Sequence, residues 1–201
     1  MHDRHGAKQP QRFDPARAAR LDDPERFRYV PVEELLAMLD PGRGTRLLDF
    51  GTGTGSYAIA IAKHRPDLHV IAFDEQREML EFLREKLRRE PLHNLTVMLA
   101  GDPEKPKAER VLCLNVLHEL GDEALAEVRA SLTPGGVVLF VDWNAGAERP
   151  VGPPNDHVYT ISEAHERLAA HGFRVVREAM LPYHYALLAT QADSRATPSP
   201  K

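Results

Sequence analysis

Short apolar runs separated by stretches of helical periodicity recur along the middle of the chain. The runs at 45–49, 68–74, 95–100, 110–115 and 136–142 have the length and continuous apolar character of strands covered on both faces. Between them the period changes. After Asp74, the residues Met79, Leu80, Leu83 and Leu87 recur at spacings of one, three and four with charges between them, predicting an amphipathic helix that ends before Pro91. Another helix follows Gly121, with Leu125, Val128 and Leu132 facing inward until Thr133-Pro134-Gly135-Gly136 stops it. Strands alternating with helical crossovers predict an α/β fold, a Rossmann-like, doubly wound, mostly parallel sheet with helices on both faces. Towards the C-terminus the pattern predicts a helix at 162–170, a run at 173–176, a break at Pro182 and a run at 183–190. These two runs, joined by a short turn, bring the sheet to seven strands with an antiparallel C-terminal strand.

Length and composition fit one packed domain. The chain has 201 residues, 42% hydrophobic and 28% charged, and no internal repeat divides it. The body is expected at 31–190, preceded by a leader at 1–30 that reads as a lid and followed by a disordered tail at 191–201; residues 1–12 and the tail are polar without periodicity. A formal net charge of −4 gives no global attraction to nucleic acid or to an anionic membrane, so neither is expected as a partner. The first 30 residues hold no apolar stretch of signal-peptide length, and the longest later run, 137–141, is far below a membrane span. The single cysteine, Cys113, sits in VLCLNVL as a small core residue and can form no internal disulfide. A cytoplasmic protein is therefore expected. Of the ten histidines no pair shows zinc-ligand spacing on a predicted helix with a third ligand nearby, so no metal is expected.

The most informative stretch is Leu47-Leu48-Asp49-Phe50-Gly51-Thr52-Gly53-Thr54-Gly55, a buried strand running into a glycine-rich turn and then a helix at 56–63. Glycines let the chain turn sharply and let a ligand approach the backbone. A dinucleotide fingerprint would require glycine at position 56, which is Ser56, and Asp49 would set a carboxylate close to a pyrophosphate. A zwitterion carrying a cationic amino group and a sulfonium suits such a loop better. The stretch resembles the first motif of the class I S-adenosylmethionine-dependent methyltransferases, an acidic residue followed by three alternating glycines, matched by Asp49, Gly51, Gly53 and Gly55.

The resemblance extends over roughly residues 30 to 190. Asp74 ends the second strand 19 residues beyond Gly55, where an acidic group can accept both ribose hydroxyls; the same residue could equally cap the helix that begins near Gln76. Gly101-Asp102 falls where the family places an acidic residue near the adenine, although Asp102-Pro103 would serve equally as a turn. The family also implies cofactor contacts at Thr52, Glu75 and Asn115, and its strand-four segment and Leu-Thr-Pro-Gly-Gly hallmark are matched at 111–120 and 132–136. The implied activity is methyl transfer from S-adenosylmethionine, with S-adenosylhomocysteine as product, to a small-molecule acceptor. A cofactor-binding sensor or partner subunit without transfer chemistry would keep the same motifs.

A sulfonium methyl group is already activated, so the protein mainly has to hold the nucleophile in line behind it, at about 3 to 3.5 Å. Should the acceptor have a proton to lose, His118 is the candidate catalytic base, its alternative role being to orient the loop. Asp142 and Trp143 end strand five at the ligand-binding edge and are candidate substrate-pocket residues with His118. Two segments outside the sheet read as specificity elements: the leader, in which Phe13 or Tyr29 would shield the site, and the loop 144–159 with Gly152-Pro153-Pro154. Together they resemble a group of small bacterial methyltransferases. Asn115-Val116-Leu117-His118 lacks the Pro-Pro-aromatic motif of base-amine DNA methyltransferases, and one cysteine does not hold arsenite.

Overall fold

The structure, a computed structural model, describes residues 13–192; residues 1–12 of the leader and 193–201 of the tail lie outside the described residues. Seven strands form one sheet: β1 (Arg46–Phe50), β2 (His69–Asp74), β3 (Leu95–Leu99), β4 (Ala108–Leu114), β5 (Leu132–Trp143), β6 (Phe173–Met180) and β7 (His184–Gln191). Their order is β3-β2-β1-β4-β5-β7-β6. The first five are parallel, and β7 runs antiparallel to both of its neighbours. The chain order reverses between β1 and β4, which opens the crevice where ligands bind in such sheets.

Helices cover both faces: α1 (Arg26–Tyr29), α2 (Val32–Leu39), α3 (Ser56–His64), α4 (Arg77–Arg89), α5 (Asp122–Ser131) and α6 (Ile161–Ala170). The two-residue period of a strand divides the core in two. Leu47, Val70, Leu112, Val141 and Ala186 face α2, α3 and α4, whereas Leu48, Val111, Phe140, Tyr185 and Leu187 face α5 and α6. Leu47 and Leu48 are adjacent in sequence, point opposite ways and are both fully buried, each contributing about 1.5–3 kcal/mol. Because apolar residues fill both faces, the strands read as continuous apolar runs.

In α4 the expected inward set is observed, with Met79, Leu80 and Leu83 buried and Leu87 packed against them. Two local expectations are corrected. Leu132 is buried but belongs to β5, because it pairs with Ala108 before the Thr133-to-Gly136 excursion; the register then resumes at Arg110 and Val137. The run expected at 173–176 continues to Met180, since a bulge at Val176 lets the strand keep pairing with β7. Among the described residues no helix is long and apolar enough to cross a membrane.

Candidate active site

The turn between β1 and α3 is built by glycines in conformations that side chains rarely adopt. Gly51, Gly53 and Gly55 have φ of 76°, 57° and 77°. Space is short as well: a Cβ on Gly51 would stand 2.8 Å from Val116, and one on Gly53 would stand 2.9 Å from Leu21. The N–H groups of Gly51 and Thr52 donate to the Phe73 carbonyl at 2.8 and 3.0 Å, and that of Gly53 donates to Asp74 Oδ2 at 2.8 Å. These three donors tie the tip of β1 to the tip of β2. They serve the loop's own shape.

Two carboxylates stand at the strand tips. Asp74 accepts the Gly53 N–H on one oxygen and the Gln76 N–H on the other, so it holds the glycine loop and opens the turn into α4 at once. Each oxygen keeps a further lone pair. Asp49 is 2% exposed and accepts from the Thr52 hydroxyl at 2.6 Å. Burial pushes the Asp49 carboxyl up to about 6; the neighbouring Asp74 charge adds to this, while the Thr52 hydrogen bond and Arg26 oppose it.

Beside them lies a cavity of about 380 Å³, within the range of small-molecule sites. The leader forms its roof. A 3-10 helix, Pro15–Asp22, sets Leu21 against Gly53, and Asp22 accepts from the hydroxyls of Thr54 and Ser56 at 2.6 and 2.5 Å and from Lys86 Nζ at 2.5 Å. Gln76 Nε2 donates to the Phe13 carbonyl at 3.1 Å. Arg26 of α1 enters the cavity wall with its guanidinium on the Leu21 carbonyl at 2.6 Å and over the Tyr57 ring. Among the described residues Arg26 makes no ion pair with any carboxylate. Asn115, held at φ 57° beyond the end of β4, brings into the same wall a buried Oδ1 without a hydrogen-bond partner among the described residues. A buried acceptor left unpaired costs about 1–3 kcal/mol.

Of the residues singled out from sequence, Phe13, Asp49, Gly51, Thr52, Gly53, Asp74, Glu75 and Asn115 are brought together in this wall. Gly55 lies behind it, packed against Leu83. Gly101 and Asp102 stand outside the wall, and the Asp102 carboxylate accepts the Leu99 N–H at 3.1 Å, closing an exposed turn. Tyr29 packs its ring on Tyr183 at 5.2 Å, outside the wall, and Trp143 stacks on His184. Leu21, Arg26, Val116 and Glu119 line the cavity without having been singled out.

His118 and Asp142 form a separate buried pair. Both Asp142 oxygens lie 2.9 Å from His118 Nδ1, and Asp142 also accepts the His118 and Trp143 backbone N–H groups. The Glu119 carboxylate is 3.5 Å from His118 Nε2. Burial alone would push the ring down, but the Asp142 charge and its hydrogen bond, with Glu119, raise it to about 10. His118 is absent from the cavity wall, and its Nδ1 is taken up by Asp142. Asp142, fully buried, supports this loop and is not part of the 380 Å³ cavity wall. Among the described residues no group of three or more His, Cys, Asp or Glu side chains is arranged to hold a metal ion.

The donor set of the cavity fits S-adenosylmethionine. Among the described residues a buried carboxylate and a guanidinium outside any ion pair, with an unpartnered carbonyl oxygen, match the ammonium and carboxylate of a zwitterionic amino acid, and Asp74 has lone pairs for a diol.

Comparison with known proteins agrees. The profile of a family described as "Methyltransferase domain" matches residues 48–138. The release factor glutamine methyltransferase of Escherichia coli is 36% identical over 67 residues, covering 33% of this chain and 24% of that protein. The demethylspheroidene O-methyltransferase of Rhodobacter capsulatus is 28% identical over 127 residues, covering 60% of this chain and 31% of that protein. This chain therefore spans about a quarter to a third of the length of those two curated relatives. Among solved structures, a SAM-dependent methyltransferase of Aquifex aeolicus superposes with a TM-score of 0.80 at 28% identity, over 89% of this chain and 98% of that one.

Proposed function

We propose that this chain is a class I S-adenosylmethionine-dependent methyltransferase, a reading supported by the methyltransferase-domain match and the likeness to the Aquifex aeolicus enzyme, and that it transfers a methyl group from that cofactor to a small-molecule acceptor. The observation that carries the reading is that one cavity holds a buried Asp49 and an Arg26, neither of them in an ion pair among the described residues. Asp49 and the orphaned Asn115 Oδ1 are assigned to the cofactor's ammonium group, Arg26 to its carboxylate, and Asp74 with Glu75 to its ribose hydroxyls. When bound, the cofactor supplies an electrophilic methyl group on sulfonium, so the protein's part is to bind, orient and exclude water. The leader is assigned the last task, with Phe13 and Leu21 over the cavity and Asp22 latched to the glycine loop. His118 is assigned a positioning role, holding the loop after β4 to the end of β5 through Asp142.

Calorimetric titration with S-adenosylmethionine and S-adenosylhomocysteine, with NADH as a control, tests the reading. Binding of both sulfur ligands and not NADH is expected. Charge-assisted hydrogen bonds contribute about 1.5–3 kcal/mol each, so Asp74→Ala and Arg26→Gln should each weaken binding by roughly tenfold to over a hundredfold. Unchanged affinity in both variants, or tighter binding of NADH, would overturn the assignment; turnover with a panel of metabolites then separates a transferase from a protein that only binds.

A further inference from the structure

The cavity continues past the strand tips that carry Asp49 and Asp74. On the β3 side its wall is made by Phe73, by Ala100 just beyond β3, and by Leu120, Gly121, Ala124 and Glu127 at the start of α5. Gly121, Ala124 and Glu127 follow one another at spacings of three, which sets them along one side of the helix start. A Cβ on Gly121 would meet nothing within 4 Å, so the cavity is open where α5 begins. Small and apolar residues thus leave room for a flat ring.

Of these residues only Glu127 brings a charged side chain to the wall. Its Oε1 accepts from Lys105 Nζ at 3.0 Å, and among the described residues no hydrogen bond reaches Oε2. Lys105 belongs to the loop between β3 and β4, so the ion pair holds the carboxylate on the β3 side of the cavity. The other carboxylates are committed elsewhere. Asp102, in the same loop, stands outside the wall with its carboxylate on the Leu99 N–H at 3.1 Å. Glu119 lines the cavity but lies 3.5 Å from the His118 ring, which Asp142 fastens to the tip of β5, on the opposite side of β4 and β1 from β2.

We infer that Glu127 of α5, and not Asp102 after β3, selects the base of the cofactor, with Oε2 accepting a hydrogen bond from the exocyclic amino group of adenine. The inference rests on the proposed cofactor for the identity of the ligand. With the amino-acid end assigned to Asp49, Asn115 and Arg26 and the ribose to Asp74 and Glu75, the base falls in the remaining part of the wall. An exocyclic amine only donates there, and an ionised carboxylate only accepts. A 6-oxo purine would set oxygen against oxygen, and a site built around one hydrogen bond rejects an analogue that cannot make it. Lys105 is then a positioning residue, acting through Glu127.

The full chain is titrated by calorimetry with S-adenosylhomocysteine and with its 6-oxo counterpart, S-inosylhomocysteine, as wild type, Glu127→Gln and Asp102→Asn. Wild type is expected to bind the adenine form at least about tenfold tighter. The amide of Glu127→Gln can donate to an oxo group as well as accept from an amine, so the difference should shrink to within about threefold. Asp102→Asn keeps an acceptor for the Leu99 N–H and should retain the wild-type preference. Thermal melting of each variant checks that it folds. Equal affinity of wild type for the two forms, a preference undiminished in Glu127→Gln, or one lost in Asp102→Asn would overturn the inference and leave the cofactor reading standing. Binding of neither compound by wild type would instead defeat the cofactor reading, and the inference with it.

Discussion

Asp142 holds His118 by two different atoms, its carboxylate lying 2.9 Å from both the ring Nδ1 and the backbone N–H. The tip of β5 is thereby fastened to the loop after β4, and the ring's proton is held up to about 10. A group whose folded pKa is raised contributes stability that is fully present below its unfolded value, near 6.5, and is lost as pH rises towards the folded value. Wild type should therefore lose stability relative to His118→Gln between about pH 6.5 and 10 in urea titrations. Parallel curves over that window would show that the ring is not held protonated.

The cofactor side should show the opposite sensitivity. Asp49, raised to about 6 mainly by burial, has to be ionised to meet an ammonium group. Affinity for S-adenosylhomocysteine is then expected to fall by about tenfold between pH 7.5 and pH 5, following the ionised fraction. Asp49→Asn should bind weakly and lose this pH dependence. A wild-type affinity independent of pH would remove Asp49 from the ammonium contact.

Asp22 bears the connection between the leader and the glycine loop, through Thr54, Ser56 and Lys86. Asp22→Ala should loosen the leader without touching the cavity floor. Faster release of S-adenosylhomocysteine and quicker protease cleavage near residues 15–25 are the expected outcomes, read by stopped-flow and limited proteolysis. If both rates match wild type, the leader does not act as a lid.

Gly152 has no room for a side chain: a Cβ would stand 2.7 Å from Arg149 Nη1 and 3.0 Å from the Trp143 indole. Gly152→Ala should lift the loop and red-shift Trp143 emission while leaving the affinity for S-adenosylhomocysteine within about twofold of wild type, since the loop lies outside the cofactor cavity. An unshifted spectrum would mean that the loop does not rest on Trp143 in solution.

What could be deduced from sequence was what depends on neighbours along the chain. The apolar runs and the 79-80-83-87 stripe disclosed β1 to β5 and α4, because burial on both faces and helical geometry impose their own periods. Asp49, the alternating glycines and Asp74 were legible because a strand tip and a φ-positive turn demand particular residue types at fixed spacing. The remainder depended on approach in space. Arg26 matters only because the leader folds back over Asp49, and nothing in its flanking residues distinguishes it from any surface arginine. His118 is a candidate base by its ordinary titration range, and only the fold sets a carboxylate 24 positions away in sequence against its ring and raises that range. Asp102 could serve an adenine or a turn by sequence, and the fold turned its carboxylate onto the Leu99 N–H. His184 gave no sequence signal at all, since a histidine's missing partners become visible only once the sheet, the loop and the leader have closed around it. Local pattern determines elements because backbone geometry is periodic; electrostatics and hydrogen bonding act through space, so only the tertiary structure decided which charges meet.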